Sequence, residues 1–539
     1  MYENMSIIEL YSRLHFLENH TRYQADELAK KQHTIDEQAE EIKELKTELN
    51  RITEFLKLAG KKIYGSSTEK LCEDYGQLSF FEEEKTEDNI PEEHSKTIVT
   101  SHERRKHRTF DEKLKNAPKT VILHELTEEE KICPKCGSQM TVIGYDSFIQ
   151  VEYIPARIEV QEHRKEKAVC RKCSKNGAES VFRTAKAPEP LIERSFATPS
   201  LISHIINEKY VKAVPLYRLE KDLAYSGINI SRQTMDNLVI AAAEMLMPLY
   251  EFMQKILVKQ DILHADETPL QVNRVKGKHK PVKGYMWVYR SGRYSSIPIV
   301  LYEYKNGRKG EYPKNFLKGF SGYLHCDGLR QYDEVICAVR VGCWAHLRRY
   351  FLNAVNVQYD KKDFSTTAGQ GFMMINEIFR IEGRDPEKPY EKSSYEISEI
   401  TDIRKNKTKK LAERFFEWCE KHPISKNLTG RAITYALGQK KSLMNVFLDS
   451  RLELTNNAAE RAVKPVVIGR KNWLFAHCER GAEANAVLYS IIETAKENLL
   501  KPYEYIKWVL ECLRSMSFNS FEDFLPWNKN LPKELRLEC

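Results

Sequence analysis

Apolar residues recur in three rhythms along the chain, and each predicts a different kind of element. In residues 1–60 they fall alternately three and four positions apart. With Leu28 as an a position, Ile7, Leu14, Leu28, Ile35, Ile42, Leu49 and Leu56 take a, and Leu10, Leu17, Leu45, Ile52 and Ala59 take d. Thr21, Gln24, Lys31 and Gln38 make the middle of the seam polar. No Pro interrupts the run, and Gly60 is expected to end it. The pattern predicts a coiled coil over 1–60, although one amphipathic helix packed on its own domain has the same look.

The rhythm is then lost. Residues 61–118 pass from the acidic "GQLSFFEEEKTEDNIPEEHSK" to the basic "HERRKHR" and read as a linker. Residues 119–190 carry strand-like letters between two C-x-x-C pairs and read as a β-rich zinc-binding domain. Helical periodicity returns over 191–257. There "VPLYRLEKDLAYSGINISRQTMDNLV" predicts two helices about Gly227, the second capped by Ser231. This is either an ordinary helical hairpin or a helix-turn-helix with Arg232, Gln233 and Asn237 facing DNA. From 258 alternation takes over in "QDILHADETPLQV", "KGYMWVYRS", "SIPIVLYEYK" and "GYLHCDGLRQYDEV". Residues 360–450 are helical and charged, 452–515 mostly helical again, and 516–539 form a C-terminal tail. The fold class expected is therefore multidomain, α+β and α/β.

Composition adds bounds. A chain of 539 residues exceeds one compact core, so three or four structural units are expected. Lys and Arg (85) exceed Asp and Glu (77) by only 8, too little to argue for nucleic acid by itself. The N-terminal letters lack a signal-peptide pattern, and no run reaches the roughly 18 apolar residues of a membrane span. A cytoplasmic protein with no membrane partner is expected, and its twelve cysteines are not expected to form a disulfide framework.

Cys133, Cys136, Cys170 and Cys173 instead form two C-x-x-C knuckles separated by 33 residues. Four thiolates in this arrangement suit one structural Zn²⁺, against the alternative of unmetallated cysteines. Two acidic residues end apolar, strand-like runs: Asp266, before Thr268-Pro269, and Asp327 in "GYLHCDGLRQY". Alternation turns Glu267 the other way. Glu460 follows an Asn cap in "NNAAERAV" and is expected on a helix. Two strand-end Asp residues and a helical Glu sharing a cleft would hold two Mg²⁺ or Mn²⁺ ions for phosphoryl transfer. Three unrelated surface acids have the same spacing. Arg461, Lys464, Arg470 and Lys471 cluster beside Glu460, as DNA-phosphate ligands or as a solvated basic face. Pro465 and Gly469 are expected to turn the chain back toward the cleft. That would place Trp473 to stack on an unpaired base or to pack in the core beside Leu474 and Phe475.

The surrounding letters are more specific than the spacing. The stretches "YGSSTEKL", the paired C-x-x-C, "VPLYR", "HADETP", "KGYMWVY", "YLHCDGLRQY", "GCWAHLRRYF", "NNAAERAVKPVVIGRKNWLF" and "ETAKENLLKPYEY" occur in order over roughly residues 55–510. In these the chain resembles the insertion sequence 66 family of bacterial DDE transposases. The resemblance implies an RNase H-like catalytic core over 258–515 with a helical insertion near 360–450, and a triad of Asp266, Asp327 and Glu460. It also implies DNA as partner, cleaved and joined at element ends, and accessory proteins encoded by the same element. A homo-oligomer through the coiled coil is expected. His477-Cys478 departs from the small residues that relatives tend to have there. Cys343 and His346 match a C-x-x-H seen after the second Asp in several transposase groups. A second zinc would need two more ligands and no partner pair is evident, so a packing or supporting role is expected, with a satisfied core histidine as the alternative for His346. The rival reading is a non-catalytic DNA-binding protein, a regulator or decayed copy.

Overall fold

The computed structural model describes residues 7–64, 158–169, 182–186, 189–357, 363–385, 393, 395–515 and 517–537. The four zinc-candidate cysteines lie outside the described residues, as does nearly all of the linker expected at 61–118. The chain divides into two compact units. One comprises Met1–Glu73, Glu189–Asp222 and Asn229–Leu535, the other Asp74–Pro188, Leu223–Ile228 and Arg536–Cys539.

In the larger unit, α1 (Ile7–Tyr64) is a single helix of 58 residues. It passes through Gly60, where the sequence suggested an end. A lone glycine in a helix costs only about 1 kcal/mol, which neighbouring turns absorb. Its heptad seam lies open: Leu28 is 68% and Leu56 67% exposed. In the smaller unit, β1 (Lys167–Val169) and β2 (Phe182–Thr184) pair antiparallel, while residues 158–166 carry no regular structure.

The larger unit continues with α2 (Pro199–Ile206), capped by Thr198. α3 (Leu216–Tyr225) runs from this unit into Leu223–Ile228 of the smaller unit, which holds the turn at Gly227, whose φ of 81° suits a residue without Cβ. Ser231 Oγ then accepts the Thr234 N–H at 3.2 Å and caps α4 (Arg232–Leu257).

The central sheet runs β5-β4-β3-β6-β7. β3 (Ile262–Arg274) pairs antiparallel with β4 (Val282–Ser291), and β4 antiparallel with β5 (Val300–Lys305). After a short helix, α5 (Glu311–Phe316), β6 (Tyr323–His325) pairs parallel with β3 on its other side, and β7 (Val339–Val341) parallel with β6. β3 does not stop at Thr268-Pro269. It continues to Arg274, where β8 (Phe475–Cys478) joins it in parallel. β6 covers only Ile262–His264 and β8 only Gln271–Arg274, so among the described residues no strand pairs with 265–270 on that edge. Pro269, which has no N–H to donate, sits in this gap, and that is why the strand tolerates it.

The free edge of β5 is closed by α12 (Glu479–Glu497). Thr494 Oγ1 accepts from Val300 N at 3.0 Å, and Ser490 Oγ from Tyr302 N at 2.8 Å. Hydroxyls thus satisfy an edge that would otherwise present bare amides.

Between β7 and residue 452 lies a helical block. It comprises α6 (Trp344–Asn356), α7 (Thr367–Ile381), α8 (Ile397–Ile403), α9 (Lys409–Lys421) and α10 (Leu428–Met444). Its core packs Trp344, Phe351, Phe372, Phe379, Phe415 and Phe416. The buried Arg404 closes it, with a two-pronged ion pair to Glu382 (2.8 and 2.9 Å) and bonds to the carbonyls of Val446, Asp449 and Leu452. A buried Glu382 is tolerable only because that guanidinium matches it. After α11 (Asn457–Trp473) and α12 comes α13 (Pro502–Ser515). The segment beyond α13 is no loose tail. Phe524 packs on Trp508, Leu535 is buried, and Lys501 N donates to Leu535 O at 2.7 Å. No helix of the described residues is long and apolar enough to cross a membrane.

Candidate active site

Three elements converge where the edge of β3 is unpaired. Asp266 is the fifth residue of β3, Asp327 lies two residues beyond the end of β6, and Glu460 is in the first turn of α11. The Asp266 carboxyl is pushed up to about 8, first by burial, then by the charges of Glu267, Asp327 and Glu460. The Glu267 N–H, donated to Asp266 Oδ1 at 2.8 Å, opposes this only in part. Asp327 Oδ1 accepts from Leu329 N at 2.9 Å. Glu460 Oε1 is buried without a hydrogen-bond partner among the described residues. An Asp266 carboxyl raised by burial and by its acidic neighbours, beside a Glu460 with an orphaned oxygen, belongs to a set that a cation would satisfy. Hard oxygen donors of this kind fit Mg²⁺ or Mn²⁺.

Alternation puts Glu267 on the other face of β3 from Asp266, yet its side chain is only 2% exposed. It is paired with Arg308 and accepts from Tyr332 Oη at 2.8 Å. Burial and the charge of Asp327 still raise its carboxyl. It borders the acidic site, held by its own counter-ion.

The position of α11 is set by Asn456. Its side chain does not cap the helix. Nδ2 donates to Ala265 O at 2.8 Å, and Oδ1 accepts from His264 Nδ1 at 3.0 Å. His264 stacks on His325 at 4.5 Å and 6°. Burial pushes His264 down to about 4 and pushes His325 well below the ordinary imidazole range too, so both rings are neutral. The sequence offered Asn456 only as a cap, and nothing in its spacing signalled a bond to residue 265.

α11 runs unbroken through Pro465 and Gly469 to Trp473, against the expected turn. Ala462, Val466 and Gly469 are buried. Tyr302 Oη donates to Ala462 O at 2.6 Å. Packing of that face against β3 and β4 outweighs the proline penalty of about 3 kcal/mol. Arg461, Lys464 and Lys471 are exposed, with Ile468, on one stripe of α11. Arg470 is instead bonded to Thr268 Oγ1 (3.1 Å) and to the Pro269 carbonyl, bridging the gap in β3. Trp473 is half-buried, edge-on to Tyr210 at 6.4 Å. Leu474 and Phe475, the expected core neighbours, are exposed. At the start of α4, Arg232 N donates to Glu220 Oε1 at 3.1 Å, and Gln233 bonds Asn237 at 3.2 Å. These three side chains belong to a different element from the acidic site.

Cys343 and His346, expected in a packing or supporting role, lie against Glu460, with one ligand atom from each residue within 4.8 Å of the others. Burial pushes the His346 imidazole down. Cys343 and Glu460 outweigh that, against the opposing charge of Arg349, and leave it raised to about 9.

Comparison with known proteins matches residues 194–484 to the family described as Transposase IS66 family. Residues 130–174 match the zinc-finger binding domain of transposase IS66, and 490–527 the IS66 C-terminal element. The zinc-finger match spans all four candidate cysteines. Similar curated proteins come from Sinorhizobium fredii. Uncharacterized protein y4hP is 28% identical over 422 residues, covering 74% of each chain. Uncharacterized protein y4qI is 28% identical over 426 residues, covering 75% of each.

Proposed function

Since the chain belongs to the IS66 transposase family, we propose that it cuts DNA at the ends of its element and joins the freed ends to a target, with Asp266, Asp327 and Glu460 as the catalytic metal ligands. The observation that carries this is the convergence of three carboxylates at the unpaired edge of β3, with Asp266 driven up to about 8. The sheet order, with β4 alone antiparallel to the rest, and a later helix bringing the Glu, support an RNase H-like core.

Mg²⁺ or Mn²⁺ bound there would supply the charge that activates a water or 3′-hydroxyl and offsets the phosphoryl oxygens. The chain's own residues do the positioning. Asn456 fixes the Glu460 helix against the strand of Asp266. Arg308 and Tyr332 hold Glu267 out of the way. Arg461, Lys464 and Lys471 present a basic stripe to DNA phosphates, while Arg470 stiffens the β3 edge. The zinc-finger match supports one structural Zn²⁺ on Cys133, Cys136, Cys170 and Cys173. Arg232, Gln233 and Asn237, all exposed at the start of α4, are the residues we assign to DNA contact in the helical region.

The test is a strand-cleavage and strand-transfer assay on element-end DNA with Asp266→Asn, Asp327→Asn and Glu460→Gln. Each variant should bind DNA yet lose both reactions, because each swap keeps the shape and removes a charged oxygen ligand. Near-normal transfer by any one of them would remove that residue from the triad. A wild-type protein that binds DNA without metal-dependent cleavage would favour the non-catalytic reading.

A further inference from the structure

Cys343 immediately precedes α6 and His346 lies in its first turn, and α11 brings Glu460 against them. His346 Nδ1 and Glu460 Oε1 are 3.7 Å apart, and each is buried without a hydrogen-bond partner among the described residues. The main-chain N–H of Asn456 points at Cys343 Sγ, 3.2 Å away. Such a donor is what supports a metal-bound thiolate from outside its ligand shell. The acidic site has no use for a sulfur atom, since magnesium and manganese prefer oxygen.

We propose that Cys343, His346 and Glu460 bind a zinc ion of their own, distinct from that of the four-cysteine unit, with a fourth position for water. One thiolate, one imidazole and one carboxylate are a donor set that suits borderline-soft Zn²⁺. In a tetrahedral zinc site, nitrogen and oxygen ligands sit about 3.3 Å apart. The observed pair therefore needs only a small contraction. The side chains of His346 and Glu460 are 25% and 23% exposed, so an ion can reach them.

The ion has a consequence that rests on Glu460 also being a ligand of the proposed catalytic metal. Zinc drawn to the sulfur and imidazole side would take this carboxylate from the magnesium side. Zinc would then restrain the reaction that magnesium supports.

The test uses the full chain with its four-cysteine unit already filled with zinc, titrated with Co²⁺. One equivalent should give a near-ultraviolet thiolate-to-cobalt band and the visible bands of tetrahedral cobalt. Cys343→Ser should abolish the near-ultraviolet band. His346→Ala and the nearly isosteric Glu460→Gln should weaken or abolish binding. Cys337→Ser, at an exposed thiol outside the cluster, should change nothing. Melting curves would establish that each variant is folded. No band in the wild type, or a band unchanged in folded Cys343→Ser, overturns the site. In a magnesium-driven cleavage assay, added zinc should slow the wild type about tenfold or more, an effect lost in Cys343→Ser. Cobalt binding without any cleavage activity would fault the catalytic reading and leave the zinc site standing. Cleavage without cobalt binding would do the reverse.

Discussion

The Nδ2 of Asn456 donates to the main-chain carbonyl of Ala265 at 2.8 Å. Ala265 precedes Asp266, and the Asn456 carbonyl accepts the Glu460 N–H at 3.2 Å. One side chain therefore ties the strand of one proposed ligand to the helix of another. Asn456→Ala would orphan the buried Ala265 carbonyl and the His264 Nδ1–H, a loss of about 1–3 kcal/mol. Activity should fall further than stability, by about 10–100-fold, as when outer-shell partners of metal ligands are removed. Asn456→Asp, which keeps the acceptor but loses the donor, should not rescue it. Thermal melting and strand-transfer rates on the same samples decide this. Undiminished transfer by Asn456→Ala would show that Asp266 and Glu460 are positioned without it.

The helix of Glu460 and the strand of Asp266 were legible in the sequence because period and capping are local. What brings them together was not. The gap in β3 arises because β6 is only three residues long and β8 returns from some 200 residues later. Neither fact leaves a mark near residue 266. Asn456 shows the same limit from the other side. Its letters fit a helix cap, and only the tertiary contact with Ala265 diverts the side chain. Pro465 and Gly469 read as breakers for the same reason. Local propensity predicted a turn, and burial of Ala462, Val466 and Gly469 kept the helix whole.

Glu303 offers a test of electrostatics away from the site. Its side chain, 17% exposed, lies 3.1 Å from Lys305. Burial raises its carboxyl from 4.5 to about 7 despite that lysine. The folded state thus holds this proton more tightly than the unfolded chain. Its contribution is complete below about pH 4.5 and is lost as pH rises through 7. Glu303→Gln, neutral throughout, should be more stable than wild type by about 1–3 kcal/mol at pH 8. The gap should nearly close at pH 5. Denaturant melts at the two pH values check it, and an equal gap at both would show that Glu303 is not held protonated by burial.

The bare seam of α1 leads to a prediction about assembly. We propose that a second copy covers it as a coiled coil. Near its C-terminal end α1 is already engaged: Glu54 Oε2 accepts from Leu428 N at 2.9 Å, and Arg431 lies 4.4 Å over Phe55. A chain beginning at residue 45 keeps these contacts and loses most of the seam. It should stay folded yet cease to self-associate, as measured by light scattering at matched concentrations. An unchanged oligomer would place the interface elsewhere.

Trp473 separates DNA contact from packing. A Cβ placed on Gly469 would lie 2.2 Å from the Trp473 ring and 2.4 Å from Tyr489 Oη, so the indole lies against the glycine. Tyr210 meets its edge, and Tyr210 Oη is itself anchored to Asn485 Oδ1 at 2.7 Å. An indole held on two sides is poorly placed to swing out and stack on a base. Packing is therefore the role we assign it. Trp473→Ala should lower stability by about 2 kcal/mol, less than for a fully buried Trp because this one is half-exposed. Cleavage of fully paired and pre-melted element ends should then fall alike, since a loosened helix disturbs Glu460 whatever the state of the DNA. Trp473→Phe, which retains an edge for Tyr210, should recover part of both losses. Gly469→Ala should mimic Trp473→Ala by forcing the indole off its seat. Unchanged melting with selective loss on paired ends would overturn this and return the residue to base stacking, where roughly 1–3 kcal/mol per base would be at stake.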